Sequence, residues 1–240
     1  MITLDDLKTN RDTQITVGCI AFFLIAFPLY FSFAASGVSS MAGARGVGDY
    51  QINGNLTYVQ LTDGIEYIAD GDTYMIDDLH TDSIDDAEDL NIVGVRVLMS
   101  YGEDEEAQGL SCGPGPLSGQ DAADTISGTA MHAGFNGTAD GQNNGGSGAH
   151  EVVVEWFNSS MVGAEVSGLS ESEIISQIDS MGAGLGAYSA EIGVSAEAGN
   201  TPGGPLSQCD RSDDGEEVTF SVELIVFEYT IAPVFNEDEL

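Results

Sequence analysis

The chain has 240 residues, 40 of them acidic and 5 basic, for a formal net charge of −35 at pH 7. Phosphate recognition needs clustered Lys and Arg, so this balance excludes nucleic acid and anionic surfaces as partners. Hydrophobic residues make up 42% of the chain, enough to build a core rather than an acidic disordered coil.

Residues 1–14 (MITLDDLKTNRDTQ) form a short polar leader, and residues 15–35 (ITVGCIAFFLIAFPLYFSFAA) follow without a single charge. At roughly 1.5 Å per residue this run makes a helix of about 31 Å, long enough to cross a bilayer once. A cleaved secretory signal would have a shorter apolar stretch and a basic leader, although Ser32–Ala34 and Ala34–Ser36 offer small-residue exits. A buried core helix would not need Phe22, Phe23, Phe27, Tyr30, Phe31 and Phe33 around its circumference. The expectation is a single transmembrane helix whose partner is the lipid bilayer, with Pro28 kinking it. Lys8 and Arg11 precede the run and Arg45 alone follows it, which places the N-terminus in the cytoplasm and the remainder outside.

Residues 36–48 (SGVSSMAGARGVG) read as a small-residue stalk, and 49–240 as an acidic ectodomain. That ectodomain alternates at period two. Ile52, Leu56 and Tyr58 share one face, with Asn53, Asn55 and Thr57 turned away. Short strands are expected at Gly64–Ala69 and Thr73–Ile76, and longer ones at Val93–Tyr101, Val152–Phe157, Tyr188–Ala196 and Glu217–Ile231. In the last strand the apolar phase passes from Val218, Phe220, Val222 and Leu224 to Ile225, Phe227, Tyr229 and Ile231. An extra residue near Leu224–Val226 would produce this, the signature of a β-bulge or of a strand passing between two sheets. One helix is signalled by the Ser170–Glu173 capping box, with Leu169 stapled to Ile174 and a face of Ile174, Ile178 and Met181 before Gly182. The expected fold is all-β: a β-sandwich ectodomain with one short helix, behind a single N-terminal transmembrane helix. Residues 102–149 read as a long Gly-rich loop and the expected contact surface.

Cys19 lies inside the apolar run and reads as a small apolar residue, while Cys112 and Cys209 sit in Gly/Pro loops. Outside the cytosol the natural inference is a Cys112–Cys209 disulfide, with two free thiols as the alternative. Asn55, Asn136 and Asn158 each open an N-x-Ser/Thr glycosylation sequon, and none precedes the anchor.

Asp140, Gln142, Asn144 and Glu151 follow the spacing of a calcium loop except for Gln142, so Ca²⁺ is a candidate ligand there. The bland reading is a flexible Gly/Asn loop with Glu151 opening the next strand. The Asp77–Asp89 acidic run and the weaker Asp210–Asp214 group read as solvated loops before they read as cation sites. His80, His132 and His150 are scattered and read as surface residues. There is no nucleophile elbow, phosphate loop, dinucleotide fingerprint or HExxH. No cofactor and no catalysis are expected. The ectodomain is expected to bind or support something outside the cell, such as another envelope protein or a glycan.

In composition the ectodomain resembles exported proteins of halophilic or marine archaea. The order of short polar leader, hydrophobic helix and β head resembles an archaeal pilin or stator subunit, over the first 60 residues at most. That resemblance implies a subunit of a pilus-like or archaellum-type assembly. The chain departs from pilins in having no basic-Gly cleavage site before the helix and no Glu at the helix's fifth position. An extracellular hydrolase is a third reading.

Such a charge repels itself, and at about 1 M salt the Debye length of roughly 3 Å removes most of that repulsion. The head is therefore expected to unfold or aggregate on desalting. A thermal midpoint that does not move between low and molar salt would contradict this.

Overall fold

A computed structural model of the protein describes residues 46–102, 106–109, 122–142, 148–199 and 209–234, with helical pieces at 15, 22–24 and 26–27. The expected leader, most of the apolar run and nearly all of the stalk lie outside these residues. Among the described residues no helix is long and apolar enough to cross a membrane.

The chain runs β1 (Gly48–Ala69), β2 (Thr73–His80), β3 (Ile92–Tyr101), β4 (Glu106–Gln108), β5 (Thr125–His132) and β6 (Phe135–Gln142). It continues through β7 (Gly148–Glu155), β8 (Glu165–Leu169), helix α1 (Glu171–Ile178), β9 (Ala187–Ser195), β10 (Asp210–Ser212) and β11 (Gly215–Pro233). A five-stranded sheet has the order β7-β3-β11-β1-β8, a four-stranded sheet the order β2-β9-β5-β6, and β10 pairs with β4 as a separate ribbon. The all-β expectation is met, with two sheets and little helix.

The sheets share one core. Val95, Val97 and Met99 of β3, Val152 of β7 and Val218, Val222 and Leu224 of β11 meet Ile126 and Ala130 of β5 and Ala190, Ile192 and Val194 of β9. A second cluster lies on the other face of the five-stranded sheet, where Ile174 and Ile178 of α1 cover Tyr50, Ile52, Val93, Ile225 and Phe227.

This second cluster explains the apparent phase change in the last strand. Strand β11 never slips: Leu224 and Val226 point to the first core while Ile225 and Phe227 point to the second. The extra residues belong to its neighbours. The register skips Leu61 of β1 and Val93 of β3. The bulge expected in β11 is thus carried by the strands on either side, and helix cover makes both faces of β11 apolar there.

Strand β1 is one continuous element, where the sequence suggested two strands. At Gly64, the expected start of the second strand, a Cβ would lie 2.7 Å from Cζ of Phe220. The glycine makes room for a ring from the paired strand. The same logic corrects the expected loop 102–149, which contains β5 and β6. Gly128 of β5 sits where a Cβ would be 2.4 Å from Met99 Cε, and its neighbours Ile126 and Ala130 are fully buried. Glycine there serves packing between sheets, and the segment forms part of the core.

Helix α1 begins as expected. Ser170 accepts from the Glu173 amide, and the Glu173 carboxylate accepts from the Ser170 backbone. It ends at Ile178, earlier than the sequence suggested. Met181 has φ 50° and is 71% exposed, so it does not join the apolar face. Asn91 helps set that end, donating to the carbonyls of Ile178 and Phe227 and accepting from Ser180 N–H.

The backbone and hydroxyl of Ser170, in that order, hold the Glu173 carboxyl below its ordinary value of 4.5. A depressed carboxyl contributes stability above its unfolded pKa and loses it as pH falls through the folded one. Glu173 is therefore expected to titrate below 4.5 by NMR, and Ser170→Ala to return its midpoint toward that value. An unchanged midpoint in Ser170→Ala would assign the whole shift to the Ser170 backbone amide and none of it to the hydroxyl.

Candidate functional site

The described residues bring one group of carboxylates together at the end of the two-sheet core. Asp124 immediately precedes β5, Asp213 lies between β10 and β11, and Glu216 is the second residue of β11. One oxygen from each lies within 4.8 Å of the others. Asp124 and Glu216 are fully buried. The Glu197 amide donates to Asp124 Oδ1 at 2.7 Å and the Gly215 amide donates to Asp213 Oδ1 at 3.1 Å. Tyr101 donates its hydroxyl to the Asp124 carbonyl at 2.7 Å. Oxygen donors in this arrangement have the chemistry that hard divalent cations prefer. All three residues also have other partners within the fold, and buried acids with partners are explained as structural polar groups. Asp213 belongs to an acidic group visible in the sequence, with Glu216 three residues on; Asp124 joins them only through the fold.

The residues of the suspected calcium loop fall elsewhere. Asp140 and Gln142 are exposed on β6, and the Gln142 amide donates to Thr125 Oγ1 at 2.9 Å. Glu151 lies on β7 and faces Arg96 of the neighbouring strand β3 at 3.4 Å. Asn144 lies outside the described residues. The fold therefore does not gather Glu151 with Asp140 and Gln142. The Asp77–Asp89 run forms a bulge at Asp78, with φ 60°, and two 3-10 turns, Thr81–Ser83 and Ala87–Asp89. Its carboxylates are exposed.

His132 overturns its expected surface position. It is 3% exposed and stacks on Tyr188 with centroids 4.0 Å apart and planes at 13°. Its Nδ1 lies 2.9 Å from the Ala187 carbonyl and its Nε2 2.7 Å from the Ala183 carbonyl. Trp156 flanks the ring at 5.1 Å and donates Nε1–H to the Ile92 carbonyl at 2.9 Å. Tyr188 donates to the Gly184 carbonyl, and burial pushes its phenol well above the ordinary tyrosine value. With both nitrogens against backbone carbonyls, this imidazole ties the chain before β9 to β5. His80 is exposed and pairs with Asp82, while His150 packs near Tyr101 at 6.0 Å.

On the outer face of the five-stranded sheet, Arg96 lies 3.3 Å over the Tyr58 ring. It pairs with Glu223 at 2.6 Å and with Glu151 at 3.4 Å. Arg96→Met would leave two carboxylates facing each other. It is expected to cost about 1–2 kcal/mol, and more as salt is lowered. Denaturant midpoints at two salt concentrations check this; a loss that does not depend on salt would assign the effect to packing alone.

Asn55 and Asn136 are exposed on β1 and β6. Asn158 is half-buried, donating from Nδ2 to Gln177 Oε1 at 3.1 Å and accepting at Oδ1 from Ser160 Oγ at 2.6 Å. Cys209, just ahead of β10, is disulfide-bonded; Cys112 lies outside the described residues.

No family model matches the chain, and no curated protein matches it either.

Proposed function

We propose that the chain is a membrane-anchored cell-surface protein. Its acidic β-sandwich head, 49–240, has a binding or structural role outside the cell and performs no catalysis. The observation that carries this reading is the uncharged run 15–35, set ahead of a head that holds all of the excess charge. Such a run is stable in lipid, and such a head in salty water. Envelope proteins or glycans fit as its partners. The same reading pairs Cys209 with Cys112. Strands β10 and β4 align Asp210 with Gln108, which carries the chain just ahead of Cys112 toward Cys209.

The pilus-like assembly is the second reading, favoured by the edge of β1. Its pairing with β8 covers only Gly48–Gln51, and beyond these residues Tyr58, Ile65 and Tyr67 stay exposed. An open strand edge is where an assembly adds its next strand. N-terminal sequencing of the native protein separates the two: an intact Met1 supports the anchored protein, and a processed end at the apolar run supports the assembly subunit.

A further inference from the structure

We infer that the head carries N-linked glycans at Asn55 and Asn136 and none at Asn158, an inference that rests on the exported topology proposed above. All three asparagines satisfy the same sequence pattern, so the fold must make the difference. Asn55 lies on the length of β1 that has β11 on one side and, among the described residues, no strand on the other. Its neighbours Asn53 and Thr57 are exposed with it. Asn136 lies on β6, the last strand of its sheet, just after the tight Ala133–Gly134 turn that pairs His132 with Phe135. Thr138, which completes that sequon, is exposed and shares its hydroxyl only with the neighbouring Thr129 at 2.9 Å.

Asn158 differs in the partners of its own carboxamide and backbone. Its carboxamide nitrogen is spent on Gln177 of α1, its oxygen on Ser160, and its backbone amide donates to the Gln177 carbonyl at 2.8 Å. Glycan transfer needs that nitrogen to attack C1 of a sugar held on a polyprenyl phosphate carrier. The N–C1 bond forms, the C1–O bond to the carrier phosphate breaks, and the amide proton passes to a base of the transferring enzyme. No oxidant or reductant is involved. At Asn158 the nitrogen is turned onto the helix and the sequon hydroxyl onto the asparagine itself. At the two edge positions a glycan would also blunt the open strand edges against unwanted pairing.

Intact-mass and peptide-mass analysis of the protein extracted from its native membranes tests this. Thr57→Ala and Thr138→Ala are each expected to remove one glycan step from the intact mass, and Ser160→Ala to remove none. Peptides containing Asn55 and Asn136 should carry glycan, and the Asn158 peptide should have its bare mass. A glycan on Asn158, or bare Asn55 or Asn136, would overturn the inference. External protease on the same cells tells which claim has failed. Bare sites on a head that the protease digests would sink the glycan assignment alone, whereas bare sites on a protected head would sink it together with the topology.

Discussion

Replacing His132 with Ala is expected to destabilise the head by about 4 kcal/mol, in the range for emptying a large buried ring site. The ring fills space between Tyr188 and Trp156, and both of these are held by their own hydrogen bonds to backbone carbonyls. Neither can move in to close the gap. The substitution also removes the ring nitrogens that face the Ala183 and Ala187 carbonyls. His132→Phe refills most of the volume and restores a ring on Tyr188 but offers no N–H to either carbonyl. It is expected to recover about half of the loss, since an unmet buried carbonyl costs about 1–3 kcal/mol. Denaturant titration in high salt measures both variants. A cost below about 1 kcal/mol for His132→Ala would mean that the site collapses freely, against the packing described here.

Cys112→Ser is expected to cost about 4–5 kcal/mol, from closing a loop of about a hundred residues on the chain-entropy model. The effect follows if Cys112 is the partner of Cys209. That bond would tie the ribbon of β4 and β10 beside the buried Asp124, Asp213 and Glu216, where the two-sheet core ends. Reduction of the wild-type protein should produce the same loss, and reduction of Cys112→Ser should add nothing. A Cys112→Ser protein that still loses stability on reduction would point to a different pairing.

Strands that alternate were legible in the sequence. Ile52 and Leu56 opposite Asn53, Asn55 and Thr57, and Tyr188 to Ala196, lie as the period implied, and the Ser170–Glu173 box starts the helix. Strands β5 and β6 were hidden because their inward positions include Gly128, Gly137 and Gly141. Each accepts a large side chain from across the core, and glycine of this kind cannot be told from glycine in a loop by local pattern. The same holds for the site. Asp213 and Glu216 are close in the chain, but Asp124 comes from the distant start of β5, and only the fold brings its oxygen to theirs. His132 looked like a surface residue because its partners are backbone carbonyls, which carry no signature in a sequence. The two-faced burial of β11 was visible as apolar run-on, but its cause, a helix on one side and a sheet on the other, was not.

Digestion of intact cells with a non-specific external protease addresses the anchored, outward-facing arrangement most directly. The account predicts that the acidic head disappears while a short N-terminal fragment containing 15–35 stays with the membrane. A full-length chain that survives until the cells are broken, or that is recovered free of membranes, would contradict it.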